Sequence, residues 1–257
     1  MYLSTTAIVL DKKDVNEYDR IFTFYTRDFG KIHAFGKSCN KPNAKFISLD
    51  YFTKFDVYLY YSNENSRVLR IVGGRAIENF SSFRKDLLRF GVGFFILEIV
   101  NLLTPHGEES SREFDFLLFI LQELQHNDDV ITLFNKFFYT EIALLGYGIN
   151  FYSCLSCQRS IGSLCSEELY LSFTDGGLYC KNCKIKIETS GRALVGIKSK
   201  VIEYIVSLIN QTHFIPKNIE NRGKAAAYRI ATMYLKYILQ QEVPAETFLK
   251  NIILRNY

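Results

Sequence analysis

The chain has 257 residues, 48% of them hydrophobic, and a formal net charge of +4. That length buries a proper core and leaves room for two domains. The longest strongly apolar run, Phe90 to Leu97 between Arg89 and Glu98, is too short to span a bilayer. The opening Met1-Tyr-Leu-Ser-Thr-Thr has neither the charged nor the apolar region of a secretion signal, so a cytoplasmic protein with reduced thiols is expected. The charge is unevenly spread. Residues 1–80 carry 12 Lys/Arg against 9 Asp/Glu, residues 81–183 carry 7 against 13, and residues 184–257 carry 12 against 5. Two basic ends flanking an acidic middle suit a polyanionic partner, and solvated surface lysines give the same pattern.

The first 76 residues read as strands. Ala7-Ile-Val-Leu10 is a short apolar run, Ile21 to Thr26 is rich in aromatic and β-branched residues, and Asp28-Phe-Gly30 is a turn leading into Lys31 to Phe35. Phe52 to Tyr60 puts Phe55, Val57 and Leu59 on one face. Ser62 to Ser66 reads as the hairpin loop before Arg67 to Val72. Five short strands in so few residues predict a small barrel. After Gly73-Gly74 the period becomes helical. Leu87 to Leu103 is apolar on nearly every side, and Ser110-Ser-Arg-Glu113 is a capping box opening Phe114 to Leu124. A third helix carries Val130, Phe134, Phe137, Phe138, Ile142 and Leu145, with Gly146 placed to end it. Helices resume at Val201, continue through Ala227 to Ile238, and end with one opening at Pro244. The plan is α+β and multidomain: a barrel over residues 1–79, then an α-helical domain over 80–257 with an insertion at 151–186.

That insertion holds four of the six cysteines, as Cys154-Leu-Ser-Cys157 and Cys180-Lys-Asn-Cys183. Each C-x-x-C lets two sulfurs converge on one ion from a single turn. Two such turns close a tetrahedron with no open position, which makes one zinc structural rather than catalytic. The 22 residues between the pairs slightly exceed the usual spacing of a four-cysteine ribbon, and a hairpin fills such a length. Cys165, inside that hairpin, is an alternative ligand or a free thiol, and Cys39 reads as an ordinary small residue.

The order of parts resembles the bacterial recombination mediator family RecO. The resemblance rests on Ala7-Ile-Val-Leu10, Glu17-Tyr-Asp-Arg-Ile21, Thr26 with Phe29-Gly-Lys31, Gly36-Lys37 and the lysine-bearing loop to Lys45-Phe46. It continues in Leu144-Leu-Gly-Tyr147 before the first cysteine pair and Gly176-Gly-Leu before the second. It implies an N-terminal oligonucleotide/oligosaccharide-binding (OB) barrel and a helical domain carrying zinc. It also implies binding of single- and double-stranded DNA, annealing of complementary strands, and work beside RecR. Docking on the tail of single-stranded-DNA-binding protein and help in loading the recombinase, in the bacterial cytoplasm at the nucleoid, are implied as well. The family's basic loop is usually arginine-rich. Here it offers Lys37, Lys41 and Lys45, point charges in place of bidentate forks, so weaker DNA affinity is expected there.

Lys31 to Leu49 holds four lysines and no acid, with His33, Phe35 and Phe46 interleaved. On an OB barrel such a stretch suits a single strand, lysines meeting phosphates while rings meet bases. The phenylalanines serve a small barrel's core equally well. The expected DNA contacts are Arg20, Lys31, Lys37, Lys41 and Lys45, with Arg20 alternatively pairing with Glu17 or Asp19. The acidic tail of the partner protein is expected on the basic C-terminal third, with Arg229 and Lys236 interleaved among Ile230, Tyr234 and Ile238. His106-Gly-Glu108 ahead of Cys154 imitates a zinc-deaminase pattern. Ser153 replaces its proline, however, and the second cysteine pair would have no role. There is no phosphate-binding loop and no nucleophile elbow, so the chain is read as a non-enzyme. The alternative is a zinc-stabilised interaction scaffold without DNA activity.

Overall fold

The computed structural model describes residues 1–41, 49–61, 68–80, 86–109, 111–164, 168–189, 191–210 and 220–256. The chain divides into two compact units, Met1–Asp128 and Asp129–Tyr257.

In the first unit, β1 (Tyr2–Asp14), β2 (Arg20–Thr26), β3 (Gly30–Gly36), β4 (Thr53–Tyr60) and β5 (Val68–Asn79) close into a barrel of order β1-β2-β3-β5-β4. All neighbours are antiparallel except β3 and β5, which run parallel over His33–Phe35 and Val68–Arg70. This is the OB arrangement. Alternation fills the barrel: Ala7, Val9, Phe22, Phe24, Phe55, Val57, Leu59, Leu69 and Ile71 form one buried cluster. Strand β1 extends past its apolar run at both ends, where Tyr2, Ser4, Asp11, Lys13 and Asp14 are exposed. A bulge between Val9 and Asp11 admits one extra residue, the buried Leu10. The expected hairpin loop at Ser62 to Ser66 lies outside the described residues.

Helices α1 (Leu87–Leu103) and α2 (Ser111–His126) belong to the same unit. Asp86 caps α1, accepting from the N–H groups of Leu88 and Arg89. An aromatic cluster joins α1 to the start of β4: the Phe52 ring is 4.8 Å from Phe94 and 5.8 Å from Phe90. Helix α2 meets β2 through Tyr25 and Phe114, 5.9 Å apart, and through a two-pronged Arg27–Asp115 pair with both contacts at 3.0 Å. Ser110 of the expected capping box is outside the described residues.

The loop between these helices closes on β3. His106 bridges to Lys31, Gly107 N–H donates to the Lys31 carbonyl (3.0 Å), and the rings of His33 and His106 lie 4.5 Å apart. Gly30, in the left-handed region at φ 59°, sits directly beneath this loop. A Cβ there would fall 1.8 Å from the Glu108 carbonyl oxygen.

The second unit contains α3 (Val130–Leu144), a four-stranded sheet, and helices α4 (Lys181–Glu188), α5 (Ser199–Ile209), α6 (Asn221–Leu239) and α7 (Pro244–Asn256). Asp129 caps α3 and Gly146, at φ 84°, follows its end. The sheet has the order β6-β8-β7-β9, built from β6 (Asn150–Cys154), β7 (Glu168–Ser172), β8 (Gly177–Cys180) and β9 (Val195–Lys198). The expected hairpin is therefore the β7–β8 centre of a larger sheet. The pairing of β9 with β7 and the short helix α4 are additions the sequence pattern did not announce.

Helices α3, α5 and α6 pack together across a polar seam. Asn135 Nδ2 donates to the Lys224 carbonyl (3.0 Å) and to the Tyr204 hydroxyl (3.3 Å), which donates to Thr132 Oγ1 (3.1 Å). Tyr139 donates to the Ala227 carbonyl (2.9 Å), and the Lys224 ammonium reaches Asp129 at 2.6 Å. Lys136, fully buried, donates to the Leu208 carbonyl. No helix among the described residues is long and apolar enough to cross a membrane.

Candidate metal centre and nucleic-acid face

The two cysteine pairs converge. The sulfurs of Cys154, Cys157, Cys180 and Cys183 all lie within 4.8 Å of one another. Cys154 ends β6, and its turn is closed by Gln158 N–H to the Cys154 carbonyl and by Cys154 N–H to the Arg159 carbonyl, both 2.9 Å. Gln158 takes the left-handed conformation (φ 58°) that lets so short a turn close. The second pair is built differently: Cys180 ends β8 and caps α4, and Cys183 lies in that helix's first turn. Leu155 ties the two together, its N–H donating to the Leu178 carbonyl (2.8 Å) while its side chain lies where a Cβ on Gly177 would be.

The donor set fits a tetrahedral ion. Cys157 and Cys180 sulfurs are 3.8 Å apart, and four sulfurs each about 2.3 Å from one zinc would be spaced by about 3.8 Å. Cys154 and Cys180 are buried, Cys183 is half-buried and Cys157 is exposed. Burial works to raise the Cys154 thiol, but N–H groups of Cys157, Cys180 and Ser156 aim at its sulfur and bring it down to about 7. At Cys180 burial wins, helped by the neighbouring thiols, and pushes the group up to about 12. A cation bound here would take up the thiolate charge and displace the proton that Cys180 otherwise keeps. Cys165 lies outside the described residues. His106 takes no part in the cluster, which consists of cysteines alone, and packs instead on His33.

On the barrel, the five expected DNA contacts fare differently. Lys37 and Lys41 are exposed, on the turn that leaves β3. That turn is stitched to the β1–β2 tip. Ser38 N–H donates to Asp19 (2.7 Å), Asn40 N–H to the Tyr18 carbonyl (3.1 Å) and the Asn40 side chain to Asp14 (3.1 Å). The Lys41 ammonium sits 5.0 Å from the centre of the exposed Tyr18 ring. The acids of this tip thus work as anchors, and the two lysines face solvent, Lys41 beside an aromatic ring. Tyr18 was missed because its sequence neighbours are acidic; its place in a hairpin next to the basic loop was the available signal.

Arg20 pairs with neither Glu17 nor Asp19. Its guanidinium is held at 2.6 Å by Asp14, its partner across the β1–β2 ladder, and that ion pair keeps the Asp14 carboxyl below its ordinary value. Lys31 is withdrawn from solvent: it is 6% exposed and donates to the Asn101 carbonyl at the end of α1 (2.6 Å), and burial lowers its pKa. Lys45 and Phe46 lie outside the described residues.

In the second unit Arg229 is exposed on α6, whereas Lys236 is held by Glu242 (2.8 Å) and Glu246 (3.1 Å). Ile230 and Tyr234 are buried, and the large apolar side chains exposed on α6 are Met233 and Tyr237.

The family profile described as "Recombination protein O N terminal" matches residues 1–80, and "Recombination protein O C terminal" matches residues 84–245. This chain belongs to the RecO family. Relatives named "DNA repair protein RecO" extend over nearly all of it. That of Thermoanaerobacter sp. (strain X514) is 28% identical over 256 residues, covering 97% of this chain and 98% of the relative. That of Caldanaerobacter subterraneus subsp. tengcongensis is 27% identical over 252 residues (96% and 97%), and that of Pelotomaculum thermopropionicum 28% over 246 residues (95% and 91%). RecO membership gives the anchored basic turn and the four-sulfur cluster a common setting: the first belongs to the N-terminal match and the second to the C-terminal one.

Proposed function

We propose that this RecO-family chain is a non-enzymatic DNA repair mediator. It binds single- and double-stranded DNA, anneals complementary strands, and helps load a recombinase onto single strands covered by single-stranded-DNA-binding protein, working with RecR in the cytoplasm at the nucleoid. The observation that carries this reading is the OB barrel's anchored turn, where Lys37 and Lys41 face solvent and Lys41 lies beside the Tyr18 ring. Cations there neutralise phosphates while the ring offers a stacking surface, a combination that tolerates any sequence. Residues 1–79 are the DNA-binding domain in this reading. Arg20 and Lys31 act from within, Arg20 holding the hairpin through Asp14 and Lys31 holding the 104–109 loop.

The four cysteines hold one structural zinc. A four-sulfur site leaves no open coordination position, so the ion supplies folding energy and no reaction. The helical part, residues 80–257, receives the acidic tail of single-stranded-DNA-binding protein. Arg229 is the better of the two expected contacts, because Lys236 is already occupied by two glutamates. The names of the relatives, DNA repair proteins, support the assignment.

The test is annealing of complementary oligonucleotides, bare and coated with single-stranded-DNA-binding protein. The chain should accelerate duplex formation on both, and replacing Lys37 and Lys41 with glutamine should remove most of the acceleration. No acceleration on either substrate would leave a zinc-stabilised scaffold as the better reading.

A further inference from the structure

A row of outward side chains circles the barrel. Across the ladders Lys13 pairs with Ile21, Ile21 with Phe35, Phe35 with Arg70, Arg70 with Tyr60 and Tyr60 with Tyr2. Strand tilt in a closed barrel makes such a row climb, so it leaves β1 at one end and returns to it at the other. Burial shows which way each side chain points. Arg70 is exposed between the buried Leu69 and Ile71, and Phe35 is half-buried between the buried Ala34 and Gly36. Tyr60 is half-buried, and Tyr2 is 73% exposed with its ring 5.1 Å from that of Tyr60. Tyr61 N–H donates to the Met1 carbonyl (2.9 Å), which fixes Tyr2 at the end of the ladder.

The row contains no acid and two exposed cations, Lys13 and Arg70, neither paired with a carboxylate among the described residues. The acids around it are engaged elsewhere. Asp14 is held by Arg20 (2.6 Å) and Asp56 by Arg75 (3.0 Å), Asp28 lies beside Arg27, and Asp11 accepts from Lys12 N–H (2.8 Å). The row is therefore positive, and around Arg70 it reads ring, cation, ring. That order suits a single strand of nucleic acid: bases stack on the rings, while the guanidinium meets a phosphate and can lie flat against a base. Phe35 precedes Lys37 by two residues, so the row begins where the basic turn leaves β3. A protein segment would have to bring carboxylates for the cations and flat apolar groups for the rings, whereas a nucleic-acid strand brings both in every repeating unit.

We propose that a single strand leaves the basic turn and runs across Phe35, Arg70, Tyr60 and Tyr2, its bases on the rings and a phosphate on Arg70. The proposal rests on the reading of this chain as a DNA binder and adds to it a stacking track on β5, β4 and the start of β1. The chain has no tryptophan, so Tyr60→Trp places a single emitter in the row. The full-length variant is titrated with oligo-dT and with an abasic strand of equal length, which keeps the phosphates and lacks the bases. Oligo-dT should quench the emission and the abasic strand should not. In fluorescence anisotropy the wild type should bind oligo-dT about fivefold or more tighter than the abasic strand, a comparison that needs no variant. Tyr2→Ser should lose about fivefold or more on oligo-dT and nothing on the abasic strand. Arg70→Gln should weaken both and lower the log–log salt slope by about 0.7. Thermal melts report whether each variant is folded. Equal wild-type affinity for the two strands, an unquenched tryptophan, or oligo-dT binding indifferent to Tyr2 and Arg70 would overturn the track and leave this face to a protein partner. Loss of binding in Lys37→Gln with Lys41→Gln would then show that the turn binds DNA without it. Loss in the row variants alone would keep the track and remove the turn, and a wild type that binds no oligo-dT would remove both.

Discussion

Replacing Gly30 with alanine tests the packing of the 104–109 loop on the barrel. The new Cβ would lie 1.8 Å from the Glu108 carbonyl oxygen, 2.8 Å from its carbon and 3.2 Å from the Glu108 nitrogen, all of them backbone atoms. The loop cannot swing aside freely, because Gly107 N–H is bonded to the Lys31 carbonyl and the Lys31 ammonium to Asn101. Three costs combine. A side chain in the left-handed region costs about 1–2 kcal/mol. Losing the Gly107 bond costs about 1 kcal/mol, and disturbing the buried ammonium's bond about 1.5–3 kcal/mol. The expected loss is about 3.5–6 kcal/mol, a large share of a typical domain's stability of about 5–15 kcal/mol. Gly107→Ala is the control: Gly107 is also left-handed, at φ 75°, but a Cβ there meets nothing within 4 Å. It should cost about 1–2 kcal/mol, the backbone contribution alone. Urea unfolding followed by far-ultraviolet circular dichroism measures both. Equal losses in the two variants would refute the loop-packing account, since only Gly30 has a neighbour to displace.

Three further outcomes follow from the described geometry. Metal analysis of the purified chain should find one zinc per chain, lost in Cys180→Ser and retained in Cys165→Ser; the reverse would redraw the ligand set. Oligo-dT affinity should fall with salt, and each phosphate-bound lysine contributes about 0.7 to the log–log slope for a single strand. Lys37→Gln with Lys41→Gln should therefore flatten the slope by about 1.4, whereas the buried Lys31→Gln should leave it unchanged, both read by fluorescence anisotropy. Burial lowers the Lys136 ammonium from 10.5 to about 8, so between those values the unfolded chain binds more protons than the folded one and stability rises with pH. Urea midpoints should climb from about pH 8 to about pH 10, and Lys136→Met should remove the climb; a flat profile in the wild type would contradict it.

The barrel is legible in the sequence because Phe55, Val57 and Leu59 alternate with polar neighbours, and only a strand with one dry face needs that pattern. The apolar residues of α3 are legible by their helical spacing, from Val130 through Phe134, Phe137, Phe138 and Ile142. Strand β9 is not legible: Val195-Gly-Ile-Lys198 is four residues long with one buried side chain, and its identity comes from β7 alongside it. Helix α4 is short and has no buried residue, so it carries no apolar period to read. At the sites, spacing brings out what is local and misses what is distant. Two C-x-x-C pairs announce their own convergence. The fate of a lysine depends on what faces it: Lys31 and Lys37 look alike in the chain, yet the end of α1, seventy residues away, gives only Lys31 a carbonyl to bind.

The seam through α3, α5 and α6 has a mechanical consequence. Two smooth apolar helices can slip past each other by a turn, about 5.4 Å, and exchange one set of contacts for an equivalent one. Here such a slip would carry Asn135 from the Lys224 carbonyl, Tyr139 from the Ala227 carbonyl and Lys224 from Asp129 at once. Each buried group left without its partner costs about 1–3 kcal/mol, so no intermediate register offers a resting place. The three helices are indexed to one another like toothed racks, and a force applied to α6 by anything bound there is passed to α3 and α5 as displacement of the whole set.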